Sequence, residues 1–162
     1  MPAKGIELMN LVQEVQCKFK GKVNIEEDSN HIGLVVEKEI LPEVMAELKQ
    51  AYGFDFLSDL TAVDYQDNLT VVYHLFSMET GYLLRVKTQL KDMTNLMVPT
   101  MYHLWNAADW MERETYDMFG IVFSGHPNMK RLLTDKNFKG HPLRKDFVNR
   151  NTFQSYDPST EV

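Results

Sequence analysis

Between residues 5 and 19 the apolar side chains fall at Leu8, Leu11, Val12, Val15 and Phe19, the spacing of one face of an amphipathic helix. Two strand-like runs follow, Lys22–Glu26 and Ile32–Glu37, joined by the turn-forming Glu27-Asp28-Ser29-Asn30. Pro42 suits the first turn of a second helix, where a missing amide hydrogen costs nothing. That helix buries Val44, Met45, Leu48 and Tyr52 and is predicted to end at Gly53. The rhythm then switches from helical to alternating. Strands are predicted over 54–65, 69–77 and 82–89, with Gln66-Asp67-Asn68 and Met78-Glu79-Thr80-Gly81 short enough for antiparallel hairpins. Along the middle strand both sets, Leu69/Val71/Tyr73/Leu75 and Thr70/Val72/His74/Phe76, carry apolar residues. An interior strand follows, with helices on one face and a partner or further chain on the other. Asn95–Trp105, with Pro99 near its start, reads as a third, short helix. The pattern predicts an α+β fold: an antiparallel or mixed sheet of about five strands, helices packed on it, and an extended C-terminal ribbon. Residues 1–120 form the α+β domain, and 121–162 the ribbon and tail of the same structural unit.

A last helix begins near Asp109 and is unusually dense in charge. Asp109 with Glu112 makes a capping-box pattern, and Asn106 is the alternative cap. Gly120 stands where a left-handed residue would end the helix. Arg113 lies four residues from both Asp109 and Asp117, so one guanidinium can bridge two carboxylates on one face. Beyond it, Gly125-His126-Pro127 recurs as Gly140-His141-Pro142, each copy followed by cations: Lys130 and Arg131, then Arg144 and Lys145. A residue before proline favours extended backbone, and proline has no N–H, so both copies hold the chain open. Leu132, Leu133, Leu143 and Phe147 interleave with the cations. Such a ribbon asks for a surface to lie on: a partner's carboxylates, which Arg can grip bidentately, or this chain's own acidic helix. Val148–Val162 has no period, and Phe153 and Tyr156 are its candidate anchors.

Charge sharpens this picture. The net charge is −6, yet residues 126–150 hold seven Lys/Arg against two Asp/Glu, a local balance of +5. An acidic body with a basic arm does not fit a nucleic-acid binder, whose whole face would be basic. Cys17 is the one cysteine, which excludes an intrachain disulfide and any all-cysteine cluster site. No run is apolar enough to span a membrane, and the N-terminus lacks the form of a signal peptide.

Candidate chemistry is sparse. His126 and His141 are fifteen apart with no paired ligand, and His31, His74 and His103 stand singly, so no metal site is expected. Glu112, Glu114 and Asp117 could serve as an acid/base cluster, but ion pairing with Arg113 and ribbon cations accounts for them better. Thr61 and Asp64 are expected in turn and strand-edge roles. There is no phosphate loop, nucleophile elbow or dinucleotide fingerprint, and no residue receives a catalytic assignment.

The run from Glu112-Arg113-Glu114 through Asp117, Gly120, His126-Pro127, Arg131-Leu132-Leu133-Thr134-Asp135 and Gly140-His141-Pro142-Leu143-Arg144-Lys145-Asp146-Phe147 resembles a known signature. It is that of the 30-kilodalton-type subunit family (the C-type subunit) of NADH:quinone oxidoreductase, respiratory complex I. Asp55–Tyr65 resembles the family's central strand, so the likeness covers about residues 54–147. The resemblance implies a cofactor-free, non-catalytic subunit of a proton-translocating enzyme, part of a hetero-oligomer. It would pack on the 49-kilodalton-type protein (the D-type subunit), which helps form the quinone site, with other hydrophilic-arm subunits nearby. FMN, iron–sulfur clusters and quinone would belong to those partners. Membrane association would come through the complex alone, peripherally, on the cytoplasmic face of the cell membrane. Glu112, Arg113, Glu114, Asp117, Gly120, His126, Pro127, Arg131, His141, Pro142, Leu143, Arg144, Lys145 and Asp146 would be its docking element. Related machines share the signature, namely membrane-bound [NiFe] hydrogenases and deazaflavin- or ferredoxin-linked dehydrogenases, so the electron donor stays open. The alternative of another class is a free-standing enzyme using the Glu112/Glu114/Asp117 carboxylates.

Overall fold

The computed structural model describes residues 2–27 and 31–148. The first apolar stripe forms α1 (Pro2–Lys18), which buries Leu8, Val12 and Val15. β1 (Val23–Glu27) and β2 (Ile32–Val36) pair antiparallel, and most of the turn predicted between them lies outside the described residues. α2 (Leu41–Gln50) carries Pro42 in its first turn and buries Leu41, Val44, Met45 and Leu48. Just past Gly53 the Phe54 amide returns to the Leu48 carbonyl at 3.0 Å, closing the helix end. β3 (Phe56–Asp64), β4 (Leu69–Phe76) and β5 (Leu83–Leu90) form the predicted antiparallel meander.

The sheet order is β1-β2-β5-β4-β3, with β2 parallel to β5 and every other pairing antiparallel, so the sheet is mixed. Gly33 marks where β2 meets β5: a Cβ there would lie 2.9 Å from the Arg85 carbonyl oxygen. Register puts Ile25, Leu34, Val86, Tyr73 and Leu60 in one row across all five strands. With the buried side of α1 and α2 and with Ala108 and Phe119 they make one core. The next row, Glu26, Gly33, Arg85, His74 and Asp59, points to the opposite face because side chains alternate along a strand. That row is charged, with Glu26 3.7 Å from Arg85 and 2.5 Å from Lys87. The interior position predicted for β4 holds, and both its alternating sets are largely buried.

The predicted helix over Asn95–Trp105 is absent. Asp92 turns the chain by accepting from the Thr94 amide (2.9 Å) and hydroxyl (2.6 Å), and β6 (Met97–Pro99) follows. Met97 is exposed and Val98 buried, a period of two rather than of a helix. α3 (Ala108–Phe119) then leads to β7 (Val122–Ser124), which pairs parallel with β6. The Thr100 amide extends that pairing to the Ser124 carbonyl at 3.0 Å. The backbone amides of this segment therefore bond to a distant strand, which local spacing does not reveal. After β7, residues 125–148 run as turns and bends without helix or strand. Phe153 and Tyr156 lie outside the described residues.

Candidate functional site

α3 and the ribbon wrapped on it hold every residue of the sequence signature. The helix ends at Gly120, whose φ of 78° is left-handed, as predicted. Its start differs: the N-cap is Ala107 with no side-chain cap, so neither Asp109 nor Asn106 serves. Asp109 instead faces His126, whose Nε2 lies 3.2 Å from both its carbonyl and its carboxylate. The Asn128 amide donates to His126 Nδ1 at 3.0 Å, so Nε2 carries the hydrogen and donates toward Asp109. Glu112 makes no capping box either, because its carboxylate points inward.

The expected Arg113 bridge is also absent. Arg113 is buried, sits over the Trp110 ring at 5.2 Å, and donates from Nε to the Lys130 carbonyl at 3.3 Å. It ion-pairs with neither Asp109 nor Asp117, because each has a closer partner in the ribbon.

Asp117 is the anchor. Its Oδ2 accepts from the amides of Leu132 (3.0 Å), Leu133 (2.8 Å) and Thr134 (2.8 Å). Its Oδ1 accepts from the Thr134 hydroxyl (2.5 Å) and the Arg131 guanidinium (2.7 Å). Burial opposes ionisation here. The Thr134 hydroxyl and amide, Arg131 and the Leu133 amide together outweigh it and hold the carboxyl well below the usual range. Arg131 also reaches the Gly140 carbonyl at 2.9 Å, tying this stretch to the start of the second Gly-His-Pro copy.

The second His-Pro copy caps the helix C-terminus, where unpaired carbonyls need donors. His141 Nδ1 donates to the Asp117 carbonyl at 2.9 Å and the Leu143 amide to the Met118 carbonyl at 3.1 Å. A Cβ on Gly120 would meet the His141 ring at 2.7 Å, so glycine serves both the turn and this contact. Arg144 forks onto Asp146 at 3.1 and 3.2 Å. The Lys145 amide donates to Asp64 at 2.8 Å, while the same carboxylate accepts from the Gln66 amide at 2.7 Å. Burial opposes the charge on Asp64, but these two amides and the nearby Lys145 and Arg144 keep its pKa low. Asp64 thus ends β3 and fastens the ribbon, a fuller role than the predicted turn.

Glu112 is the contrasting carboxylate. It is fully buried, with Oε2 2.5 Å from the donating Thr100 hydroxyl and Oε1 2.6 Å from the Met101 amide. No cation pairs with it among the described residues, contrary to the expected ion pairing. Burial raises its pKa to about 7, against the pull of Thr100 and Met101 and with a push from Asp109. Glu114 and Pro127 are exposed and Pro142 is half-buried. Sequence reasoning singled out neither Thr100 nor Thr134. Thr134 follows Arg131 within the signature, but nothing around Thr100 signals its role. Among the described residues no three His, Cys, Asp or Glu side chains are grouped so as to hold a metal.

Fold and site together define an α+β domain whose ribbon is fastened by two buried carboxylates, Asp117 of the last helix and Asp64 at the end of β3. The chain belongs to the family of the 30-kilodalton subunit of the respiratory-chain NADH dehydrogenase, whose model matches residues 34–153. The C-type subunit of NADH-quinone oxidoreductase from Moorella thermoacetica is 44% identical over 85% of this chain and 93% of its own length. The trypsin-resistant fragment of Nqo5 superposes with a TM-score of 0.63 at 33% identity, covering 75% of this chain and 98% of the fragment. A chain of the membrane-bound sulfane sulfur reductase, an archaeal respiratory membrane complex, gives 0.75 at 25% identity. That match covers 89% of this chain and 87% of the other.

Proposed function

We propose that the chain is the non-catalytic docking subunit of the hydrophilic arm of a proton-translocating NADH:quinone oxidoreductase, seated on the 49-kilodalton-type protein. One observation carries this reading. The ribbon's inward groups are used on α3 and Asp64, while outward it presents Leu133, Leu143 and Val148 at 63, 56 and 70% exposure. Around them stand the exposed Lys130, Lys136, Lys139 and Lys145. Apolar anchors among cations fit a partner surface that is itself apolar and acidic. In this reading FMN, iron–sulfur clusters and quinone belong to partner subunits; the single cysteine bears only on the clusters, being too few for an all-cysteine ligand set. Among the described residues no helix is long and apolar enough to cross a membrane. In this reading attachment is peripheral, through the complex, on the cytoplasmic face.

The likeness to the sulfane reductase chain favours one second reading, the equivalent subunit of a related respiratory complex with another electron donor. A tagged Leu133→Asp/Leu143→Asp double variant tests the docking face, because both side chains are exposed and neither supports the internal network. Its circular dichroism and melting should match the unmodified protein. Recovery of the 49-kilodalton-type protein from mild-detergent extracts of native membranes should fall at least tenfold. Undiminished recovery would sink the proposal, and the flavin or hydrogenase subunit recovered with the unmodified protein separates the two machines.

A further inference from the structure

Glu112 is the buried carboxyl group that the docking role leaves unexplained. Asp117, five residues on, has five donors including a guanidinium. Glu112 has two, both from one turn, and no cation among the described residues. The titratable groups facing it are Asp109 from α3 and the fully buried Tyr73 from β4. The Tyr73 hydroxyl has no hydrogen-bond partner among the described residues. His126 adjoins this cluster at Asp109, its Nε2 3.2 Å from that carboxylate. The groups that face Glu112 are neutral or acidic, an environment that disfavours an ionised carboxylate.

The turn that Glu112 holds also seats the start of the ribbon. Thr100 Oγ1 accepts from the Tyr102 amide at 3.1 Å while its hydrogen serves Glu112. A Cβ built on Gly125 would lie 3.3 Å from the Thr100 methyl, and the Tyr102 and His126 rings sit 6.0 Å apart. Releasing Thr100–Tyr102 would loosen the seat of Gly125 and take the Tyr102 ring from His126, leaving that imidazole to its contacts with Asp109. We propose that Glu112 is a proton-dependent latch, closed as the neutral acid and loosened as the carboxylate, that fastens Thr100–Tyr102 and through it the first His-Pro element.

Both protonation states fit the contacts. The carboxylate accepts from both donors. Once protonated on Oε2, Glu112 donates to Thr100 Oγ1, whose own hydrogen rotates away, and the Met101 amide bond on Oε1 persists. In a locally opened state the carboxyl meets water and regains its ordinary pKa. With the closed-state pKa at about 7, opening is favoured as pH rises toward neutrality. The opening constant then rises by up to about tenfold per pH unit between roughly pH 5 and 7, and levels off above.

Carbon-13 NMR of the uniformly labelled full-length chain reads the side-chain carboxyl of Glu112 directly. Hydrogen exchange at the Met101 amide, corrected for intrinsic rates, reads the latch. A titration midpoint near neutrality, with Met101 protection falling between pH 5 and 7, supports the proposal. Glu112→Gln imitates the neutral acid and should keep protection constant across that range. A midpoint in the ordinary carboxylate range, or protection in the unmodified chain as flat as in the variant, overturns it. Should Glu112→Gln fail to fold, Thr100→Val is the second probe. Losing one donor to the carboxylate should move the Glu112 midpoint higher, and an unmoved midpoint counts against the latch.

Discussion

Asp117→Ala removes the acceptor for five donors at once, three of them backbone amides in the ribbon. Breaking a buried, fully bonded charge of this kind costs about 3–5 kcal/mol, and urea denaturation should report a loss of that size. Asp117 and Glu112 also pull stability in opposite directions with pH. The folded pKa of Asp117 is depressed, so its contribution is complete above the ordinary carboxylate pKa and is lost as acid titrates the folded state. The folded pKa of Glu112 is raised from 4.5 to about 7, so its contribution is complete below 4.5 and is lost as pH rises through about 7. At roughly 1.4 kcal/mol per unit that is on the order of 3 kcal/mol. The urea midpoint should therefore peak on the mildly acidic side, and Glu112→Gln should abolish the fall toward neutral pH. Sequence spacing had joined Asp109, Arg113 and Asp117 into one intrahelical chain of charges. The rule behind it describes helices alone in water, whereas here a folded-back ribbon offers each carboxylate a better partner.

Both ends of α3 are set by what lies beyond them. Gly120 was legible because a left-handed residue after a helical pattern has a local cause. The missing N-cap was not, because Asp109 and Glu112 have caps' chemistry but are drawn to His126 and to Thr100–Met101. Gly120→Ala should cost about 1–2 kcal/mol from backbone strain alone. Its new methyl would also push on the His141 ring, so the Leu143 amide should lose exchange protection while β3–β5 keep theirs. A purely local turn defect would leave Leu143 unchanged. β6 was missed for a similar reason, since three residues pairing with a strand more than twenty positions away have no local signature.

Over the whole molecule, the alternating meander and the amphipathic helices were readable because burial repeats along them at fixed periods. The parallel β2–β5 contact was not, because it joins residues 33–35 to 85–87 across an intervening helix and two strands. The Asp64 clasp on Lys145 likewise spans 81 positions. Such long-range ties also set an order of events. A ribosome delivers α3 before residues 131–134, so for that interval the carboxylate of Asp117 has none of the donors that later surround it. Until they arrive, water is its best solvent and the helix has reason to stay undocked. A chain released after Lys130 should accordingly hold the β3–β5 meander while its α3 amides exchange freely. Protected α3 amides in that fragment would count against this order. The later stretch licenses the burial of the one made just before it, so this half of the protein matures on the clock of its own synthesis.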